Sequence, residues 1–248
     1  MQTSERSVQP RVMVLASLFP HAGQPEAGLF VRERMFRVGA QVPLTVVSPK
    51  PWFPGQGFIR MLRPNYRPAA RFAERQGQFD VLFPKFWSLP AIGRKLDGVS
   101  MAASTMRVAQ RLVRDAGVNL IDAHFSYPDG YAATRIGKRL GLPVTITMRG
   151  TELTHSRDPA RRPLLVTALR DATRVFAVSE SLKRLAVELG IDSDKIRVIG
   201  NGVERADAVV VGGAGSEAGV RERRDGGAGE HGVVEVDGVA RHAHVVGG

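Results

Sequence analysis

Polar side chains follow two apolar segments of the sequence at positions where they could meet a ligand. His124 closes the segment NLIDAHF, and a side chain at the end of a strand can point into a crevice. The segment MRGTEL offers a forked cation at Arg149, a close backbone approach at Gly150 and a carboxylate at Glu152. Both segments also have a purely structural interpretation. His124 would be a core histidine, and MRGTEL would be a strand-to-helix turn with a solvated Arg and Glu.

Glycines in the first polar loop suggest a binding site for an anion. Gly23 and Gly28 follow the apolar segment RVMVLAS, and Gly28 comes just before a helical pattern. A glycine there lets a phosphate approach the backbone N–H groups at a helix N-terminus. The alternative is that both glycines serve turn geometry alone. Similarly, Asp129-Gly130 marks a turn and a helix start, for which simple capping is sufficient.

Several classes of site have no support in the sequence. There is no G-x-G-x-x-G fingerprint, P-loop, nucleophile elbow, Ser-His-Asp order or zinc-ligand spacing. His21, His124 and His155 are scattered at unrelated spacings, so we expect no metal and no cofactor. The chain also lacks cysteine, which excludes disulfides and thiol chemistry and fits a reducing compartment.

Short apolar runs alternate with amphipathic stretches, and this pattern is typical of an α/β protein. We predict strands at 11–17, 43–48, 80–86, 119–125, 143–148, 174–179 and 195–200. We predict helices at 29–38, 99–116, 130–140, 161–172 and 181–189. Residues 49–75 are rich in Pro and Arg and are expected to be irregular.

This alternation predicts a parallel sheet with helices on both faces. Ligands of such sheets bind beyond the carboxyl ends of the strands. The candidate loops are therefore 18–28, 124–130, 149–155, 179–181 and 200–203.

The chain has 248 residues and a net charge of +11, and the positive charge lies upstream of residue 205. A basic domain suggests an anionic partner: nucleic acid, a phosphorylated ligand or an anionic membrane face. Residues 1–10 are polar and lack the apolar stretch of a signal peptide, and no apolar run reaches the ~20 residues that span a bilayer. We expect a cytoplasmic protein whose first ten residues are disordered.

The last 44 residues, 205–248, have an unusual composition. Gly, Val, Ala, Glu and Asp account for 35 of them, and Leu, Ile, Phe, Lys and Pro are absent. All five abundant residues have codons that begin with G, so we interpret the segment as a GC-rich gene read out of frame. The alternative is a flexible Gly-rich linker. On either interpretation we expect a poorly ordered tail.

Residues 11–204 resemble the N-terminal domain of a family-4 glycosyltransferase. The resemblance is carried, in the family's order, by LFPHAGQPEAGLFVRERMFRV, LIDAHFSYPDGYAA, VTITMRGTEL, VFAVSESLKRLAVELG and KIRVIGNGVE. It implies one Rossmann-like half of a GT-B fold, namely the acceptor-binding half. It also implies that the chain is truncated or frameshifted after about residue 204, before the donor-binding half.

The resemblance assigns roles to particular positions. His124 would be the catalytic residue near the transferred sugar, and the loop with Gly28 would face the donor phosphate. Arg149, Gly150 and Thr151 would match the loop that meets the donor across the cleft. Glu152 stands where related chains often have Asp.

The resemblance implies sugar transfer from a nucleotide sugar to a glycan or lipid-linked acceptor in envelope polysaccharide biosynthesis, by a retaining hexosyltransferase. Without a donor half, this chain is expected to turn over no nucleotide sugar. The alternative is a non-catalytic acceptor- or membrane-binding module. A nucleic-acid partner is not expected, because no recognition motif is present and aromatic residues are few.

A run of arginines suggests a membrane contact. They recur at steps of three and four residues, mixed with Phe58, Ile59, Met61 and Leu62, although Pro64 and Pro68 interrupt any single helix. Cations beside apolar residues suit an anionic bilayer surface, so we expect peripheral association with the inner face of the membrane. The alternative is an ordinary solvated basic segment. The arginines are Arg60, Arg63, Arg67, Arg71 and Arg75.

Overall fold

The computed structural model describes residues 9–63, 66–89 and 95–200. Residues 1–10, which were predicted to be disordered, lie outside the described residues except for residues 9 and 10. The predicted tail, residues 205–248, lies wholly outside them. The described helices are α1 (Leu29–Gly39), α2 (Gln56–Leu62), α3 (Asp97–Ala116), α4 (Tyr131–Leu140), α5 (Thr151–His155), α6 (Arg162–Asp171) and α7 (Glu180–Glu188). The strands are β1 (Val12–Leu15), β2 (Leu44–Val47), β3 (Lys50–Trp52), β4 (Ala73–Gln76), β5 (Phe79–Leu82), β6 (Lys85–Trp87), β7 (Leu120–His124), β8 (Val144–Met148), β9 (Arg174–Ala177) and β10 (Ile196–Val198).

The described strands form one main sheet in the order β10-β9-β8-β7-β1-β2-β5-β4. Every neighbouring pair is parallel except β4 with β5 at the edge. A separate small parallel pair joins β3 to β6. The predicted Rossmann-like α/β class is therefore confirmed, with one antiparallel edge strand added.

The chain order reverses direction at the centre of the main sheet. From β1 the chain moves outward through β2 to β5, then returns to β7 and proceeds outward on the other side. In such a sheet the point of reversal opens a crevice beyond the carboxyl ends of the strands. Here the reversal lies between β1 and β7, which pair from Val12↔Leu120 to Leu15↔Ala123.

Alternation along the strands divides the core between the two faces of the sheet. Met13, Leu15, Ile121 and Ala123 belong to one cluster of buried residues, which extends to α3, α4, α6 and α7. Val12 and Val14 belong to a second cluster with side chains of α1. The central strands are buried on both faces, which explains their nearly continuous apolar runs.

Helix ends follow the local sequence. Gly117 and Gly141 end α3 and α4 in the left-handed conformation that the glycines permit. Ser179 caps α7 by accepting a hydrogen bond from the Leu182 N–H. These boundaries agree with the sequence prediction.

Two sequence predictions are wrong. Residues 49–75 are not irregular, because they contain β3, α2 and β4. The predicted strand 80–86 is two strands, since Pro84 has no N–H for a ladder and separates β5 from β6.

Candidate functional site

The candidate residues meet at the carboxyl edge of the central strands. His124 is the last residue of β7, Arg149 follows β8 directly, and Gly28 precedes α1. Because β1, β7 and β8 are neighbours in the sheet, three chain segments distant in sequence converge at the predicted crevice.

His124 is completely buried at this edge, with 0% of its surface exposed. Its Nδ1 accepts hydrogen bonds from Arg149 Nε at 3.2 Å and Nη2 at 2.8 Å. A guanidinium can only donate, so Nδ1 carries no proton and the neutral ring is protonated at Nε2. Burial, opposed by Asp122 and reinforced by Arg149, lowers the pKa of His124, which is therefore neutral at pH 7.

Asp122 lies behind His124 on the same face of β7, two residues earlier. Its Oδ2 is 3.4 Å from His124 Nε2, a long contact without good hydrogen-bond geometry. Its Oδ1 accepts a hydrogen bond of 2.6 Å from Thr145 Oγ1 on β8. Burial acts to raise the pKa of Asp122, but His124 and Thr145 outweigh it and hold the pKa below its usual value. The sequence analysis missed Asp122, although two polar residues spaced by two on an apolar strand must share a face.

Arg149 lies between His124 and α1. Its guanidinium is 5.2 Å from the centroid of the Phe30 ring, which is itself 45% exposed. Burial and the nearby Arg34 lower the pKa of Arg149 to about 10, so the side chain remains charged. A half-buried cation that is fixed on one side by an imidazole is a suitable contact for an anionic ligand.

Glu152 joins the two loops beyond β7 and β8. Its Oε1 accepts hydrogen bonds from Ser126 N at 3.0 Å and Ser126 Oγ at 2.8 Å. Its Oε2 accepts from Arg149 N at 3.1 Å and Gly150 N at 2.8 Å. The carboxylate is fully buried and used by its own chain, so in this geometry Glu152 positions the loops.

The remaining predicted binding residues have different surroundings. Gly28 has φ +72°, and a Cβ at this position would lie 2.3 Å from the carbonyl oxygen of Leu18. Gly150 has φ +115° with open space beside it, and Thr151 is exposed at the first position of α5. Gly28 is therefore required by packing and backbone conformation, whereas ligand contact by these residues stays a prediction.

A second buried carboxylate, Asp129, which the sequence analysis interpreted as a simple cap, holds the loop after β1 together with Lys50. The side chain of Asp129 accepts hydrogen bonds from the backbone N–H and the Oγ of Ser17. Lys50 Nζ donates to the carbonyl oxygens of Ser17 at 3.0 Å and Phe19 at 3.1 Å. Asp129 is thus more than a helix cap, and Lys50 lies in the segment that was wrongly expected to be irregular.

Burial shifts both of these charged groups. It raises the pKa of Asp129 to about 7 and lowers the pKa of Lys50 to about 8. Each group partly opposes the other's shift, since their charges are opposite. The loop that begins at Ser17 is therefore held by two groups whose protonation depends on pH near neutrality.

Comparison with known proteins finds glycosyltransferases that resemble parts of the chain. Residues 93–207 match the sequence profile of Glycosyltransferase Family 4. TuaC of Bacillus subtilis strain 168, a glycosyltransferase provisionally assigned to teichuronic acid biosynthesis, is 25% identical over 203 residues. The match covers 76% of this chain and 49% of TuaC.

The chain resembles glycosyltransferase family 4 over residues 93–207.

Two further proteins are similar to parts of the chain. An uncharacterized glycosyltransferase of Methanocaldococcus jannaschii, MJ1178, is 22% identical over 91 residues, covering 36% of this chain and 26% of that protein. Among solved structures, Anabaena Alr3699/HepE in complex with UDP and glucose aligns with a TM-score of 0.49 at 14% identity. That alignment covers 79% of this chain and 45% of HepE. The chain spans about half the length or less of the curated relatives it matches.

Two of the five candidate membrane arginines lie in α2 or directly after it. This helix exposes Phe58, Met61 and Leu62 at 68%, 77% and 76%. These three residues, with Arg60 in the helix and Arg63 at its end, are called the α2 patch below. The apolar side chains share one helix face, because they are spaced by three and four residues.

The other three arginines do not continue the α2 patch. Arg67 donates to the carbonyl oxygen of Ser88 at 2.9 Å and lies over the Phe53 ring, so it is fixed within the protein. Arg75 pairs with Asp80 at 2.8 Å, and Arg71 is exposed. The five arginines therefore do not lie on one stripe, which agrees with the interruption expected at Pro64 and Pro68, because the chain leaves the helix after Leu62.

The structure offers no evident metal centre in its described portion. No group of three or more His, Asp or Glu side chains there is arranged to hold an ion. Whether the protein uses a metal or another cofactor stays a prediction from the sequence.

Proposed function

We propose that this chain supplies the acceptor-binding side of a glycosyltransferase. The enzyme transfers a sugar from a nucleotide-sugar donor to a glycan or lipid-linked acceptor in envelope polysaccharide biosynthesis. The match of residues 93–207 to glycosyltransferase family 4 supports the reaction class. The biosynthetic role provisionally assigned to TuaC supports a polysaccharide as the product. By resemblance, we expect that the transferred sugar is a hexose and that its anomeric configuration is retained.

One observation carries the proposal. The carboxyl edge between β1 and β7 brings together His124, Arg149 and the Gly28 turn, the positions that the family resemblance assigns to substrate binding. Arg149 can hydrogen-bond to sugar hydroxyls or an anion, and the loops are fixed in advance by Glu152 and Asp129. Such fixed loops lower the ordering cost of binding.

A membrane contact fits the same function, because a lipid-linked acceptor is presented at a bilayer. The α2 patch places exposed apolar side chains beside two arginines, a composition suited to an anionic interface. Among the described residues, no helix is long and apolar enough to cross a membrane. Peripheral contact through the α2 patch is therefore the proposed mode.

The test is binding by the purified 248-residue chain. A microarray of envelope-polysaccharide fragments should show saturable binding that falls in Thr151→Val and Arg149→Gln. The control Arg111→Gln changes an exposed arginine on α3 and should bind as the parent does.

Two results would change the assignment. Absence of glycan binding, or equal binding by Arg149→Gln and the parent, would contradict the proposed acceptor site. Glycan binding that is unchanged in Thr151→Val would place the acceptor outside the loop after β8.

A further inference from the structure

Two charged side chains from distant parts of the chain hold one residue of the loop after β1. The buried carboxylate of Asp129 accepts hydrogen bonds from the backbone N–H and the Oγ of Ser17. Lys50 Nζ donates to the carbonyl oxygens of Ser17 at 3.0 Å and Phe19 at 3.1 Å. The backbone of Ser17 is therefore fixed by a carboxylate on its N–H side and by an ammonium on its carbonyl side. Ser17, Asp129 and Lys50 are called the Ser17 latch below.

Polar contacts, and not apolar burial, seat the segment that the Ser17 latch holds. Leu18 is 41% exposed, whereas Phe19 is fully buried in the cluster with α1. The backbone of Leu18 lies against the Gly28 turn, where a Cβ would come within 2.3 Å of the Leu18 carbonyl oxygen. Displacement of Ser17 and Leu18 would therefore remove support from the Gly28 turn while Phe19 stays in the core.

Burial brings both charged members of the Ser17 latch close to neutrality. It raises the pKa of Asp129 to about 7 and lowers the pKa of Lys50 to about 8. A carboxyl of Asp in water has a pKa of about 4, so the seated loop favours the protonated form of Asp129. Exposure of Asp129 to water therefore becomes easier as the pH rises toward 7, by about tenfold for each pH unit.

His21, in the same loop, responds to pH in the opposite direction. Its ring is buried, and Nδ1 accepts a hydrogen bond from Gly23 N at 3.1 Å, which requires that Nδ1 carries no proton. Burial and the charge of Lys50 lower the pKa of His21, and Glu74 of β4 opposes them. The seated loop thus favours neutral His21, and a test of Asp129 needs a variant in which His21 is unchanged.

The turn that carries Asp129 contacts β7 and the helices α3 to α6, which have titratable side chains of their own. Those with hydrogen bonds bind other groups, as Glu152 binds Ser126 and Arg135 binds Tyr131. The interactions that shift the pKa of Asp129 come from Ser17 and Lys50. The titratable side chains around the turn are Asp97, Asp122, His124, Arg135, Glu152, His155 and Arg161.

We propose that the Ser17 latch is a proton-controlled device, which seats the loop after β1 when Asp129 is protonated and loosens it when Asp129 is ionised. The loop lies beyond the carboxyl end of β1, so its state determines how firmly the Gly28 turn is supported beside the crevice. Lys50 sets the pH of the change, because its charge favours the ionised carboxylate. The device goes beyond the proposed function and does not depend on it.

The test is amide hydrogen exchange at Ser17 in the ¹⁵N-labelled chain, followed by NMR from pH 5 to pH 8 and corrected for the intrinsic exchange rate. Asp129→Asn is the matched variant, because its side chain keeps an acceptor for Ser17 N but cannot ionise. The opening constant of Ser17 in the parent, divided by that in Asp129→Asn, should rise about hundredfold from pH 5 to pH 7 and then level off. Ser17 should also open far more often than Ile146 at the centre of β8, which reports global unfolding.

A second variant tests the part played by Lys50. Lys50→Met removes the charge that favours ionised Asp129, so the carboxyl of Asp129 should titrate at a higher pH than in the parent. The ¹³C shift of that carboxyl measures the midpoint, which should lie near pH 7 in the parent. Lys138→Met, at an exposed lysine on α4, is the control and should leave the midpoint unchanged.

Three results would overturn the Ser17 latch. They are titration of Asp129 at its ordinary pH, a Ser17 ratio that stays constant from pH 5 to pH 7, and equal opening constants for Ser17 and Ile146. Equal constants would mean that the loop opens only when the whole domain unfolds. If Lys50→Met does not fold, the comparison with Asp129→Asn still decides. These readouts are independent of glycan binding on the array, so failure of the Ser17 latch is distinct from failure of the proposed function.

Discussion

Replacement of Glu152 by Gln tests how the two loops at the carboxyl edge are held together. In the parent, one carboxylate accepts four hydrogen bonds: two from Ser126, and one each from the N–H groups of Arg149 and Gly150. Gln has the same shape but offers one acceptor and one donor group. Two of the four donors must therefore face an NH₂ group.

The structure indicates which orientation of Gln costs less. If the NH₂ group faces Arg149 and Gly150, two buried backbone N–H groups lose their acceptor. If it faces Ser126, the hydroxyl can rotate and accept, so only the Ser126 N–H is left unpaired. One buried unpaired N–H costs about 1–3 kcal/mol. The weaker neutral hydrogen bonds add to this, whereas loss of a buried charge offsets part of it.

We therefore expect Glu152→Gln to lower the free energy of unfolding by about 2 kcal/mol. Glu152→Ala should cost more, because it leaves three backbone N–H groups without an acceptor. The assay is urea denaturation followed by the fluorescence of Trp52 and Trp87. Glu26→Gln, at an exposed glutamate, is the matched control. A Glu152→Gln protein within about 0.5 kcal/mol of the parent would refute this account of the loop clamp.

Three further predictions follow from the described contacts. Because burial raises the pKa of Asp129 to about 7, the folded chain holds one more proton than the unfolded chain between pH 4 and 7. As the pH rises over that interval, the stability of the parent relative to Asp129→Asn should fall by at most about 4 kcal/mol. Equal slopes of unfolding free energy against pH for the two proteins, measured by urea unfolding, would contradict this. Replacing Met61 and Leu62 of the α2 patch by Ser should reduce sedimentation with anionic vesicles at low salt, and unchanged sedimentation would leave the α2 patch without a membrane role. Gly28→Ala should destabilise the chain by about 2 kcal/mol or more, whereas Gly55→Ala should cost only about 1 kcal/mol, because Gly55 has a similar φ but open space beside it. Similar losses of stability in the two variants would show that the close approach of Gly28 to Leu18 does not add to the cost.

The sequence predicts the elements whose signals are local. The helix α3 is read from its three- and four-residue apolar steps and ends at Gly117, as predicted. The central strands are short apolar runs between turn residues, and the structure pairs them in parallel. The short strand β3 contains Pro51 and gives no alternation, so only its pairing with β6, 35 residues away, defines it. Non-local pairing of this kind cannot be seen in a local pattern.

The candidate site is predictable only in part, for the same reason. His124 and Arg149 stand out because they follow apolar strands in the sequence. Their hydrogen bond, and the burial that makes His124 a support for Arg149, depend on the register of β7 with β8. Lys50 gives no signal in the sequence, since its role arises from two carbonyl groups of a loop more than 30 residues away.

The central claim is that substrate binds at the carboxyl edge between β1 and β7, and backbone amide NMR tests it most directly. Methyl glycosides of glucose, N-acetylglucosamine and glucuronic acid are titrated into the ¹⁵N-labelled chain, followed by UDP-glucose. The account predicts saturable shifts grouped in the loops 17–28, 124–130 and 149–152. Shifts grouped instead at residues of α7, β9 and β10, or no saturable shift with any probe, would contradict it.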